Sequence, residues 1–360
     1  MIGRKNKNVV MRKSRSLSSK NIKSSSAETL DDSSPRIRLR GSHVIPPLSL
    51  SKTSPQRVEI RSPRSPSPED QKGFDSGKSV LNVQRISKIG DAGGSATQVF
   101  KVKLDGWMCC MKEVSVSSGV ADELKNEIEI MRALPTFPTS HLPQFLGYQL
   151  TNNTYQLFIS LYDGCISTVI RERKASGLFF EVDEIVEYGT QIAGALVVLH
   201  SKNILHRDIK SLNVFYEKQD GCKYMNCVLG DFGESVVLNG PTNTCALPAG
   251  TPLWMAPEVY KTATCGSFPA DMWSFAMLLY ELMSLEVPFY EYTNSWTAHE
   301  DIKNGKQPTM NEKQQLRYIS VLPIYESLLS LEPANRQTSA QTLFAFRNLQ
   351  LDQKKISSPK

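Results

Sequence analysis

His206-Arg207-Asp208-Ile209-Lys210-Ser211-Leu212-Asn213, with Asp231-Phe232-Gly233 shortly beyond it, decides how this chain is read. The two segments supply two carboxylates, an ammonium and a carboxamide. Hard oxygen donors such as Asn213 and Asp231 suit a divalent cation. A carboxylate close to a lysine, as Asp208 is to Lys210, suits a hydroxyl that must lose its proton beside an anion. Taken singly, each residue reads equally well as a solvated loop charge or a turn asparagine. Two further elements fall in order around them, Lys112 upstream and Ala256-Pro257-Glu258 downstream.

The 360 residues suffice for one two-lobed domain or two small ones. The net charge of +6 hides an asymmetry. Residues 1–80 carry 17 Lys and Arg against 7 Asp and Glu, and the remainder is slightly acidic. The basic segment is rich in Ser and Pro and nearly lacks aromatics. It cannot bury enough apolar area to offset chain entropy, so it reads as a disordered leader. Its pairs Ser34-Pro35, Ser54-Pro55, Ser62-Pro63, Ser65-Pro66 and Ser67-Pro68 suit upstream proline-directed kinases. Without stacking aromatics or amphipathic periodicity, neither a nucleic-acid nor a membrane role is expected of it. No apolar run is long enough to span a membrane, and no signal peptide or myristoylation pattern opens the chain. Seven scattered cysteines point to free thiols in a reducing compartment, the cytoplasm, with the nucleus as a second address.

Order is expected from about residue 81. Strands are expected at 83–89, which alternates like a half-buried strand, then at 99–104, 108–114, 144–150 and 155–161. A helix is expected over 121–134, where Leu124, Ile128 and Met131 share a face. Pro135 and Pro138 close it. A long helical pattern over 182–200 opens a mostly helical second half. Further helices are expected at 269–285, 297–304, 311–331 and 339–349, with a lengthened hairpin over 216–226. Residues 81–160 thus form a small lobe, 161–350 a large one, and 351–360 a tail.

Between the first two strands lies Gly90-Asp91-Ala92-Gly93-Gly94, a turn whose backbone amides can approach phosphate oxygens. Together with Lys112, His206-Arg207-Asp208, Asp231-Phe232-Gly233 and Ala256-Pro257-Glu258, it resembles the signature set of eukaryotic protein kinases. The resemblance covers about residues 83–348. The phrases around 206–214, 250–259 and 271–282 look most like the tyrosine-kinase-like group, whose members mostly phosphorylate Ser and Thr. The glycine turn departs from the pattern. Counting back from Val99 puts Ala92, Gly94 and Thr97 at the glycine positions; counting forward from Gly90 puts Ala92 and Ser95 at the second and third.

The resemblance implies an α+β, two-lobed fold and ATP-dependent transfer of a γ-phosphoryl group to Ser or Thr hydroxyls of protein substrates. It implies ATP and Mg2+ as cofactors. Asp208 is then the base and Lys210 the neutraliser of the moving phosphoryl, while Asn213 and Asp231 hold metal. Lys112 takes the α- and β-phosphates and is held by Glu127, with Glu129 as the competing choice. Gly90, Ala92, Gly93, Gly94, Val99, Cys110, Ile159, Leu161 and Phe215 line the nucleotide, with Ile159 at the gatekeeper position. Thr251 bridges Asp208 and Lys210, Glu258 pairs with Arg336, and Asp271 holds the backbone near His206. Met131 packs against Phe232. Ser235, Thr242 and Thr244 are candidate phosphate acceptors facing Arg207. Two alternatives stand beside this reading: a scaffold with the same fold, favoured by the irregular glycine turn, and a dual-specificity or tyrosine kinase.

Overall fold

The computed structural model of the protein describes residues 82–92, 96–135, 140–238, 249–262, 266–293 and 295–357. The leader with its Ser-Pro pairs, Gly93, Gly94, Thr242 and Thr244 lie outside the described residues.

Five strands make the small lobe: β1 (Val83–Ala92), β2 (Thr97–Leu104), β3 (Trp107–Ser115), β4 (Phe145–Thr151) and β5 (Thr154–Ser160). They form one antiparallel sheet in the order β1-β2-β3-β5-β4. Alternation along β3 sorts its side chains. Cys110 and Val114 join the main core with helix α1 (Ala121–Ala133), while Cys109 and Met111 join a smaller cluster with Val102 and Phe158. Leu124, Ile128 and Met131 of α1 are buried, as their spacing predicts. The helix stops where Leu134 turns extended ahead of Pro135.

Strand β1 departs from the expected half-buried alternation. Its register slips between Arg85 and Ser87 and again between Lys88 and Gly90. Each bulge resets which side chains face inward, and β1 has a partner on one side only. Ile86 and Ile89 are accordingly both 49% exposed. The strand also runs further than expected, past Gly90 opposite Val99 to Ala92 opposite Thr97.

The large lobe opens with β6 (Gly164–Cys165), α2 (Ile166–Ser176) and α3 (Val182–Ser201). Strands β7 (Ile204–Leu205), β8 (Val214–Glu217), β9 (Asn226–Leu229) and β10 (Val236–Val237) follow. Strand β8 lies between β6 and β9, and β7 pairs with β10. Helices α4 (Pro257–Thr262), α5 (Phe268–Ser284), α6 (Ser295–Lys303), α7 (Glu312–Arg317), α8 (Leu322–Leu328) and α9 (Ser339–Ser357) complete it. A reciprocal Glu181–Glu184 capping box starts α3. Helix α5 is buried along nearly its whole length, with Trp273, Phe275, Leu279 and Met283 among its core residues.

Three expectations need correction. Helices α2 and α4 were not anticipated: α2 has only two buried apolar residues, Ile166 and Ile170, and α4 is too short to show a period. The single helix expected over 311–331 is two, α7 and α8. The chain leaves helical geometry at Tyr318 and restarts with Pro323 in the first turn of α8, where its missing N–H costs nothing. Helix α9 continues to Ser357, beyond the expected end at 349. Among the described residues no helix is long and apolar enough to cross a membrane.

Candidate active site

The Asp208 carboxylate is buried, accepts three hydrogen bonds and forms one ion pair. Oδ1 accepts from the Thr251 amide at 3.1 Å and the Thr251 hydroxyl at 2.6 Å. Oδ2 accepts from Asn213 Nδ2 at 2.9 Å and pairs with Lys210 Nζ at 3.1 Å. Lys210 Nζ also donates to Thr251 Oγ1 at 2.6 Å. About four lone-pair sites are available on a carboxylate, and hydrogen bonds from Thr251 and Asn213 take three of them, so Asp208 is rigidly aimed. Thr251 bridges Asp208 and Lys210, the relation the sequence suggests.

Helix α5 fixes the loop that carries these groups. Asp271 accepts from the amides of His206 at 2.8 Å and Arg207 at 2.9 Å. Burial would raise the Asp271 carboxyl, but His200, His206 and the backbone donors hold it below its ordinary range. Burial lowers His206, keeping its imidazole neutral. The His206 Nδ1 accepts from the Asp208 amide at 3.3 Å, so Nε2 carries the hydrogen and donates to Gly230 O at 3.1 Å. The first loop is thereby tied to the second. Gly230 N donates to Asn213 O at 2.9 Å, a further tie. Arg207 and Asp231 both hold positive φ, at 71° and 66°, a conformation that non-glycine residues adopt where their surroundings impose it.

Across the cleft, Lys112 Nζ lies 2.8 Å and 3.1 Å from the two oxygens of Glu127 and 3.1 Å from Asp231 Oδ1. Burial alone would lower the Lys112 ammonium, but the Asp231 and Glu127 carboxylates outweigh it and hold it above its usual value. The amine stays charged. Glu129 is exposed beside Arg132, so Glu127 and not Glu129 meets the lysine.

Asn213 and Asp231 present the hard oxygens that a divalent ion requires. Asn213 spends its Nδ2 on Asp208 O at 2.8 Å and Asp208 Oδ2, which leaves its side-chain oxygen available to a metal. These residues fit a metal.

The residues expected to line a nucleotide fall on facing elements. Val99 on β2 pairs with both Gly90 and Lys112. Cys110 on β3 pairs with the buried Ile159 on β5. Burial pushes the Cys110 thiol up to about 11, against the Lys112 charge, so it is unreactive packing at neutral pH. Leu161 follows β5, partly buried against the main core. Phe215 on β8 stacks on Tyr162, with centroids 5.8 Å apart and planes 9° apart. A Cβ on Gly230 would stand 2.7 Å from the Phe215 ring and 2.9 Å from Pro143, so a larger residue there requires those side chains to shift. The side chain of Ala92 lies outside what is described.

Ser235 does not fit a phosphate acceptor. It is buried, and its hydroxyl donates to His206 O at 3.0 Å. The other two candidates lie in the undescribed segment 239–248.

Two residues escaped sequence reading. Glu281 of α5 accepts from Ser211 N at 3.0 Å, Ser211 Oγ at 2.5 Å and Trp254 Nε1 at 2.8 Å. The available signal was an acid inside the apolar run 275–283, since a buried charge demands partners. Asn126 of α1 donates to the Phe232 and Ser235 carbonyls. Nothing in its sequence setting marks it beyond adjacency to Glu127.

Residues 83–345 match the model of the protein kinase domain. The chain is 29% identical over 275 residues to "Kinase and exchange factor for Rac B" of Dictyostelium discoideum, covering 73% of this chain and 24% of that protein. It is 31% identical over 208 residues to "Serine/threonine-protein kinase Nek5" of Mus musculus, covering 58% and 32%. It is 27% identical over 248 residues to "Mitogen-activated protein kinase kinase kinase YODA" of Arabidopsis thaliana, covering 66% and 26%. The chain thus matches about a quarter to a third of the length of these relatives. Protein kinase domains in general use ATP with a divalent metal. A carboxylate locked by Thr251, Lys210 and Asn213, facing a lysine paired with Glu127, occurs here within a matched domain that spans most of the chain: this chain belongs to the protein kinase family.

Proposed function

We propose that the chain is an ATP-dependent serine/threonine protein kinase acting on protein substrates. The observation that carries this reading is the Asp208 carboxylate, held by three hydrogen bonds from Thr251 and Asn213 and ion-paired with Lys210. Nek5 of Mus musculus bears the name of a serine/threonine-protein kinase, which supports the Ser/Thr assignment.

The substrate hydroxyl oxygen attacks the γ-phosphorus while its proton passes to Asp208. The bond from the γ-phosphorus to the β–γ bridging oxygen breaks, and ADP leaves with that electron pair. Thr251 and Asn213 take three of the lone-pair sites of Asp208, which leaves one on Oδ2 for the hydroxyl, beside the ion-paired Lys210. Lys210 shifts from Oδ2 toward the γ-phosphoryl oxygens as the hydroxyl arrives. Lys112, kept charged by Glu127, takes the α- and β-phosphates. Asn213 and Asp231 would hold Mg2+, which neutralises charge on the phosphate oxygens when bound. The base lies among Cys110, Ile159, Leu161 and Phe215, with Gly90 and Val99 at the mouth.

Phosphoamino-acid analysis after reaction with γ-labelled ATP and a basic protein tests the acceptor type. Phosphoserine and phosphothreonine are expected. Phosphotyrosine alone would overturn the Ser/Thr assignment.

A further inference from the structure

One face of α1 reads the backbone of the segment that carries Asp231. Asn126 Nδ2 donates to Ser235 O at 2.7 Å and to Phe232 O at 3.4 Å. Phe232 O also accepts from Ser235 N at 3.1 Å, closing a turn over 232–235. One turn earlier on the same face, the Glu123 side chain packs near Gly233. The next residue, Glu127, holds Lys112, which in turn holds Asp231. The far side of the turn is tied to the large lobe, where Ser235 Oγ donates to His206 O. The turn is therefore a staple between the lobes, and Asn126 is its small-lobe end.

We propose that Asn126 is a positioning residue for phosphoryl transfer: by spanning the Phe232 and Ser235 carbonyls, its carboxamide makes the seating of α1 and the aim of Asp231 a single step. The proposal rests on the kinase reading and deepens it. A carboxamide suits the task because both partners are carbonyl oxygens and need an N–H donor. An aspartate in its place would set a carboxylate against those oxygens. A leucine has similar bulk and no donor. Helix α1 itself does not depend on this bond, since its packing comes from Leu124, Ile128 and Met131 on the buried face. Losing the staple should loosen the site while leaving the fold intact.

The expected consequence is specific to the nucleotide side of the reaction. Asn126→Leu and Asn126→Asp should raise KM for Mg-ATP and the Mg2+ concentration at half-maximal rate by roughly tenfold, because Asp231 is the group set free. KM for the peptide should stay within about twofold, because Thr251 and residues 250–258, the docking segment for a peptide in this reading, are untouched. The melting temperature should stay close to that of the parent. A general loss of packing would move the melting temperature and both KM values together.

The test compares the full chain, Asn126→Leu, Asn126→Asp and Asp208→Asn by steady-state kinetics with varied ATP, Mg2+ and peptide. Amide deuterium exchange across 231–236 is followed in parallel. A selective rise in KM for Mg-ATP, with faster exchange in that segment, is the expected result. Unchanged KM for Mg-ATP and unchanged exchange in both Asn126 variants would overturn the proposal. If the parent chain transfers no phosphate, the kinase reading has failed instead. The exchange comparison still decides whether Asn126 holds the turn.

Discussion

Asp271 and Glu281 lie on the same helix, α5, and hold opposite ends of the loop that carries Asp208. Asp271 takes the amides of His206 and Arg207, while Glu281 takes the amide and hydroxyl of Ser211. Glu281 also accepts from Trp254 in the docking segment, and Ser274 Oγ, from the middle of the helix, donates to Trp254 O at 2.8 Å. One buried helix thus fixes both the loop of Asp208 and the segment of Trp254. Rigid support of this kind converts a loop into a preorganised site.

Glu281 gives this clamp a pH signature. Burial pushes its carboxyl up from 4.5 to about 7, against the hydrogen bonds from Ser211 and Trp254. In the unfolded chain the group loses its proton near the lower value, and in the folded chain near the higher one. The folded state therefore binds more protons in this window, and stability from this group falls as pH rises from 4.5 to about 7. Glu281→Gln removes that slope. Melting curves of parent and variant across this range should converge or cross as pH rises in favour of the variant. Parallel curves would show that Glu281 does not titrate there.

Arg336 should prove structural. Its guanidinium is fully buried and meets Glu258 bidentately at 2.6 Å and 2.7 Å, with further bonds to Ser330 O and Pro269 O. Breaking such a pair costs roughly 3–5 kcal/mol. Glu258 keeps 20% exposure, which places the loss toward the lower end. Denaturant unfolding of Arg336→Ala measures it. A loss under about 0.5 kcal/mol, the scale of an ordinary surface substitution, would contradict the assignment.

Gly250 sits at φ 116°, and a Cβ there would stand 2.3 Å from Arg207 O. Gly250→Ala must shift the docking segment away from the catalytic loop. Strain of this sort costs about 1–3 kcal/mol. Peptide phosphorylation should drop at least tenfold while nucleotide affinity holds. A variant with parental kcat/KM for peptide would show the segment to be more pliant than its backbone implies.

The sequence was legible where chemistry demands a fixed residue at a fixed spacing. Lys112, Glu127, Asp208, Lys210, Asn213, Thr251 and the Glu258–Arg336 and Asp271 contacts fall where motif order puts them. Legibility failed where the cause is three-dimensional. The alternation of β1 misled because two bulges at Ile86 and Ile89 break it. Helix α2 escaped because it buries so little apolar surface. Ser235 read as a candidate phosphate acceptor, since its contacts with His206 and Asn126 are ones that no local pattern encodes. Glu281 went unread for the same reason: its partners, Ser211 and Trp254, lie on separate loops.

Single-turnover transfer from γ-labelled ATP to a protein acceptor, in the parent chain against Asp208→Asn, bears most directly on the role of the Asp208 carboxylate. General-base assistance is worth about 10²–10⁴-fold, so the variant should fall by that factor while still binding nucleotide through Lys112. Equal labelling by the two proteins, or none by either despite bound nucleotide, would contradict it.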